Sequence, residues 1–325
     1  MAVTVTVKTA MTNMYSILKH RWSNPARTDS VRSCKLILPC LLLISVFLQY
    51  NSIAAAQPDQ VESRFIRFTP GTDDWQGELQ TAVVTYRNAQ GIEVDLVAAV
   101  HIAETEYYQQ LNEYFQSRDR VLYELVAEAD HVPDATTQAG NSSILGFVQQ
   151  ALANFLNVSF QLNQIDYMAS NFQHADLTPS QLREIMLSKN ENFFTMFLNL
   201  ALAQMAEMES SGTNNSSMSA FNALAIIRAL GSENQNDAFK YLLAEELGRS
   251  GGVIVGPAME AQLTILGDRN RVVLEKLEEA LLDDQIESIS VFFGAAHMPG
   301  IERVLTTTLG FERTGQLWRA AWVIP

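Results

Sequence analysis

Apolar residues set the rhythm of the chain from Thr81 onward. Two strand-like runs, Thr81 to Arg87 and Ile92 to Val100, flank the turn signal Asn88-Ala89-Gln90-Gly91, which predicts a β-hairpin. The second run, IEVDLVAAV, is almost continuously apolar, as suits a strand buried on both faces. Tyr107, Tyr108, Leu111, Tyr114 and Phe115 then recur at helical spacing and predict a helix over 104–117. VLYELV, 121–126, predicts a short strand with Glu124 inside it, so strand, helix and strand suggest a βαβ unit with a right-handed crossover.

Residues 141–250 change texture, being rich in Ala, Leu, Met, Asn and Gln, and predict a large all-helical insertion. Within it Thr178-Pro179-Ser180-Gln181 is a helix start: Thr178 caps, Pro179 suits the first helical position, and Gln181 completes a capping box. The methionines of this block, such as Met168 and Met186, read as core filler. The α/β rhythm resumes with an amphipathic helix over 268–283, a buried strand over 289–293, a helix over 299–309 ended by Gly310, and a last strand over 316–324. The predicted fold class is α/β. It has a mixed, mainly parallel central sheet, an N-terminal β-hairpin, flanking helices and the helical insertion.

The first 56 residues follow a different logic. LILPCLLLISVFL, 36–48, is an uncharged, mostly apolar run. Lys8, Lys19, Arg21, Arg27, Arg32 and Lys35 precede it against a single Asp29, and Ala54-Ala55-Ala56 follows it. That order describes a secretory signal cleaved near Ala56. Extended to Ala56, the same run would instead serve as a membrane anchor. Either way residues 57–325 form one domain, exported across a membrane and touching it only through the N-terminal segment.

Charge and cysteine content narrow the chemistry. Lys and Arg number 22 against 36 Asp and Glu, for a net charge of −14, which argues against binding a phosphate backbone. The two cysteines, Cys34 and Cys40, lie in the leader and form no zinc-binding set.

Three positions draw attention. His101 follows LVAAV and His297 follows VFFGAA, both at the carboxyl ends of predicted strands, where open α/β sheets place their sites. Glu124, in an apolar run, needs a cation, a proton or a hydrogen-bond partner. A His/Glu/His set suits manganese, cobalt or zinc, or metal-free acid–base work. Arg269, and secondarily Asn270, open the 268–283 helix and could face the same place.

At these residues the chain resembles the TraB/GumN/TIKI superfamily. The matching stretches are VAAVHIAETEYYQQLNEYFQSRDRVLYELV (97–126), LGDRNRVVLEKL (266–277) and VFFGAAHMPGIERVL (291–305). The second G-x-x-H motif is intact as Gly294 to His297, whereas the first carries Ala98 in place of glycine. The resemblance implies a fold similar to erythromycin-esterase-like and ChaN-like proteins. It also implies a metal-dependent hydrolase, foremost a peptidase, with His101, Glu124 and His297 on the metal and Glu124 and Arg269 in catalysis. A peptide or protein is the expected substrate. Non-enzymatic peptide or haem binding and metal-free ester hydrolysis are the alternatives that the wider group suggests.

Overall fold

A computed structural model describes residues 65–127, 156, 158–192, 195, 199, 223–250 and 257–325. The leader lies outside these residues. Among the described residues no helix is long and apolar enough to cross a membrane.

The hairpin forms as β2 (Gly77–Arg87) and β3 (Glu93–Ala99), after a short β1 (Ile66–Pro70). They pair antiparallel from Val83↔Val97 to Arg87↔Glu93. The turn closes because Asn88 Oδ1 accepts from the backbone N–H groups of Gln90 (3.1 Å) and Ile92 (2.9 Å), while Gly91 takes φ +90°. After β4 (Ile102–Ala103), α1 (Thr105–Phe115) buries Tyr107, Tyr108, Leu111 and Phe115, the face its periodicity marks. The tyrosine hydroxyls donate to strand-end carbonyls, Tyr107 to Ala98 (3.1 Å) and Tyr108 to Val100 (3.0 Å). They thereby brace the backbone that carries His101. Burial pushes the Tyr107 phenol up to about 12, so it works as a neutral hydrogen-bonding group.

β5 (Arg120–Tyr123) stops one residue before Glu124, so the glutamate stands just past a strand rather than inside one. The 141–250 block differs from the all-helical expectation. It contributes β6 (Ser159–Phe160) and β7 (Phe172–His174) before α2 (Pro179–Ser188), α3 (Ala223–Leu230) and α4 (Gln235–Ser250). Strands of two and three residues are too short to show a period. The capping box at α2 forms as its sequence predicts: Thr178 Oγ1 accepts from Gln181 N–H (3.2 Å), and Gln181 Oε1 accepts from Thr178 N–H (2.9 Å). Met186 is buried as core filler, but Met168 is 70% exposed.

The chain ends in α5 (Pro257–Glu260), a π-helical turn over Thr264–Asp268, α6 (Arg269–Ala280), β8 (Ser288–Gly294), α7 (Met298–Thr307) and β9 (Glu312–Ile324). One sheet holds seven of these strands in the path β1-β2-β3-β8-β5-β7, with β9 along β2. Its central run β3-β8-β5-β7 is parallel, and β1, β2 and β9 add an antiparallel flank. β9 pairs along all of β2, so β1 and β3 share the opposite edge, β1 on Gly77–Thr81 and β3 on Val83–Arg87.

β8 inserts between β3 and β5. Strands adjacent in sequence are thereby separated, and the carboxyl ends of three parallel strands come level, with Ala99↔Gly294 and Tyr123↔Phe292 in register. α6 packs on β5 and α7 on β3. The buried side chains of Leu96, Leu122, Val291, Phe292, Val273, Leu277 and Ile301 belong to one continuous core. Each contributes about 1.5–3 kcal/mol relative to exposure. Asp95 is the exception inside β3. It is wholly buried, accepts from Thr85 Oγ1 (2.6 Å) and faces Arg118 (3.1 Å). Burial outweighs those partners and raises its carboxyl above the ordinary value.

Candidate functional site

The site grows from that strand alignment. Glu124 follows β5, and its backbone N–H still donates to Phe292 O at 3.1 Å, fixing it to β8. Its side chain is held on both oxygens. Oε2 accepts from the Gly294 N–H (2.5 Å), and Oε1 accepts from Arg269 Nη2 (2.7 Å). Arg269 also donates through Nε to Asp176 Oδ1 (2.9 Å) and through Nη2 to Oδ2. One buried guanidinium thus ties two carboxylates together, with side chains 8% exposed at Glu124 and 0% at Asp176. A planar guanidinium suits this task because its donors form a fixed fork.

Burial alone would push the Glu124 carboxyl up. Arg269, then His297 and His101, outweigh it and hold the carboxyl well below the usual carboxylate range. Burial would likewise lower Arg269, but Glu124 and Asp176 raise it above its ordinary value. The depressed Glu124 has a direct consequence for acid stability. A folded-state value below the unfolded one contributes stability that is complete above about pH 4.3 and lost as pH falls through the folded value. Glu124→Gln is therefore expected to flatten the acid limb of unfolding free energy against pH, measured by urea titration from pH 7 to pH 2. An unchanged limb would contradict the assignment.

His297 lies in the turn between β8 and α7 and is 4% exposed. Its Nε2 is 3.5 Å from Glu124 Oε1, and its Nδ1 lies 2.7 Å from Asn270 Oδ1. Asn270 Nδ2 donates to Glu260 Oε1 (2.8 Å), and Glu260 Oε2 accepts from Arg303 Nη2 (2.5 Å). Two glycines make room. A Cβ on Gly294 would sit 3.2 Å from Glu124 Oε2, and one on Gly300 would sit 1.8 Å from Glu260 Oε1 and 2.7 Å from Asn270 Nδ2. Gly300→Ala is accordingly expected to dislodge Glu260 and to cost roughly 1–3 kcal/mol, seen as a lower denaturant midpoint at constant slope. An unshifted midpoint would show that Glu260 yields freely.

The expected residues are thus placed unequally. Glu124, Arg269, Asn270 and His297 meet in one connected network. His101 stands at the same sheet end, after β3, and is exposed. Its backbone carbonyl accepts from the Gln161 N–H at 2.9 Å. His174 is turned away, with Nε2 donating to Leu125 O at 2.6 Å. Asp176, Glu260 and Arg303 complete the network without having been singled out. Asp176 follows a three-residue strand and Glu260 closes a four-residue helix, and neither element has a readable period.

Of the three residues expected on a metal, Glu124 and His297 lie 3.5 Å apart and His101 is exposed at the same sheet end. Among the described residues no group of three or more His, Cys, Asp or Glu stands at metal-holding spacing. Glu124 and Asp176 engage the Nε and Nη2 donors of Arg269. It holds Glu124 in place.

No protein-family model matches the chain, and no curated protein matches its sequence. The departure from the G-x-x-H pattern at Ala98 touches none of these contacts, since Ala98 lies buried in β3 opposite Phe293.

Proposed function

We propose that the chain is a hydrolase that activates water between His297 and Glu124, with the acyl carbon of an ester or amide as its target. One observation carries this reading. His297 Nε2 and Glu124 Oε1 converge at 3.5 Å where three parallel strands end. A neutral imidazole nitrogen beside a carboxylate fits a protic nucleophile. The imidazole takes a proton from water, and the adjacent carboxylate stabilises the imidazolium that forms. Burial of the pair strengthens that stabilisation. In this reading His101, exposed at the same sheet end, returns a proton to the leaving group.

The donor geometry favours metal-free chemistry over the metal-dependent peptidase that the sequence suggested. The test is hydrolysis of p-nitrophenyl acyl esters and of a mixed peptide library by the full-length chain, with and without chelator. Turnover that survives chelation supports the proposal. Turnover lost to chelator and restored by manganese, cobalt or zinc would overturn it in favour of a metallohydrolase. No turnover, with a Soret shift on adding haem, would move the site to ligand binding.

A further inference from the structure

Asn270 is the element of the network whose orientation decides the chemistry. Its Nδ2 donates to Glu260 Oε1 at 2.8 Å and to the His297 carbonyl at 3.4 Å. A carboxylate oxygen salt-bridged to arginine and a backbone carbonyl can only accept, so the NH2 end of the amide must face them. The amide oxygen then faces His297 Nδ1 at 2.7 Å. An amide oxygen also only accepts, so Nδ1 must carry the proton. In the neutral ring the lone pair is left on Nε2, the nitrogen beside Glu124.

Glu260 is fixed in turn by Arg303 on its other oxygen, and Gly300 lets α7 approach both partners. Glu260 and Asn270 are largely buried, at 8% and 4% exposure, and satisfy each other directly. We infer that Arg303, Glu260 and Asn270 form a positioning relay that locks His297 as the Nδ1–H tautomer and so makes Nε2 the base nitrogen. The inference rests on reading His297 as the general base. A network that merely fastens α5, α6 and α7 together would alter stability when cut but would not dictate a tautomer.

Glu260→Gln separates the two. Arg303 can only donate, so it selects the glutamine oxygen and leaves the glutamine NH2 facing Asn270. The Asn270 amide must then turn, presenting its NH2 to His297 Nδ1, and the proton moves to Nε2. Adding Arg303→Met frees the glutamine oxygen to face Asn270 and restores the original orientation.

The measurement is long-range proton–nitrogen NMR on the full-length chain labelled with 15N-histidine. Spectra are taken on the basic side of the imidazole titration, and His297 is assigned by its loss in His297→Gln. The expected wild-type pattern is a protonated Nδ1 and a bare Nε2. Glu260→Gln should invert it and lower kcat on p-nitrophenyl ester about tenfold or more, with little change in KM. The double variant should return both towards wild type. A wild-type Nε2–H tautomer, or an inversion that fails to occur in Glu260→Gln, would overturn the relay. The wild-type spectrum can do so alone even if the variant does not fold. The tautomer is read without substrate. A chain that shows the expected pattern yet hydrolyses nothing would therefore refute the hydrolase reading and leave the relay standing.

Discussion

Arg269→Met is expected to destabilise the fold by about 3–5 kcal/mol, the largest single effect on stability at this site. The methionine fills a similar volume, so the loss comes from charge rather than from a cavity. Removing the guanidinium leaves Glu124 and Asp176 as two buried carboxylates with no cation between them. The pH dependence should then reverse. In the wild type, acid removes the stability that Glu124 contributes. In the variant, Glu124 loses the largest of the partners that outweighed its burial and keeps Asp176 as a like-charged neighbour, so its carboxyl should rise above the ordinary value. A raised carboxyl favours the folded state below the unfolded value, so mild acid should recover part of the lost stability. Adding Glu124→Gln and Asp176→Asn should recover more of it at neutral pH. Denaturant titrations at pH 5 and pH 7.5 check this. A loss below about 1 kcal/mol would show that the ion pairs are solvent-screened, contrary to their burial.

His297→Gln is expected to lower kcat by about 10²- to 10⁴-fold, the range of a lost general base, with KM little changed. Glutamine is chosen because its NH2 can still donate towards Asn270 Oδ1, the partner that His297 Nδ1 now engages. Alanine would strand that buried oxygen at a cost of about 1–3 kcal/mol and confuse folding with catalysis. His101→Gln should act more weakly, because His101 is exposed whereas His297 is buried against Glu124. Its effect should also shrink as the leaving group becomes more acidic. Steady-state rates across p-nitrophenyl and alkyl esters provide the check. Equal losses at both histidines would contradict the division of roles. An unaffected His297→Gln would sink the hydrolase reading.

A structural account of the same network also has to be weighed. Arg269, Glu124 and Asp176 tie β5, the segment after β7 and the start of α6 together, and a buried ion pair of this kind can serve the fold alone. Two features favour chemistry. The network ends on an imidazole with one nitrogen left beside a carboxylate, and it lies at the carboxyl ends of parallel strands rather than in the sheet interior. Asp95 and Arg118 provide a contrast within the same protein. Thr85, Glu93 and Tyr114 lie against their pair.

Much of this was written locally in the chain. The hairpin, α1, the capping box of α2, α6, β8 and α7 follow from period, turn residues and caps, each of which acts within a few residues. The histidines after two apolar runs were visible for the same reason, because strand ends are marked by where apolar residues stop, whereas Glu124 was visible as a carboxylate within a third run and its place past the strand end was not. The pairing of strands was not visible. Placing β8 between β3 and β5 is a choice among long-range partners with similar apolar faces, and no local signal distinguishes them. That placement brings His297 to Glu124. The partners that settle what these groups can do came from elements too short to have a period: Asp176 after β7 and Glu260 at the end of α5. Sequence alone therefore determined which side chains were available for chemistry. The tertiary structure decided their charge state and direction, because a buried carboxylate takes its character from the cation that reaches it, and an imidazole from the group that holds its other nitrogen.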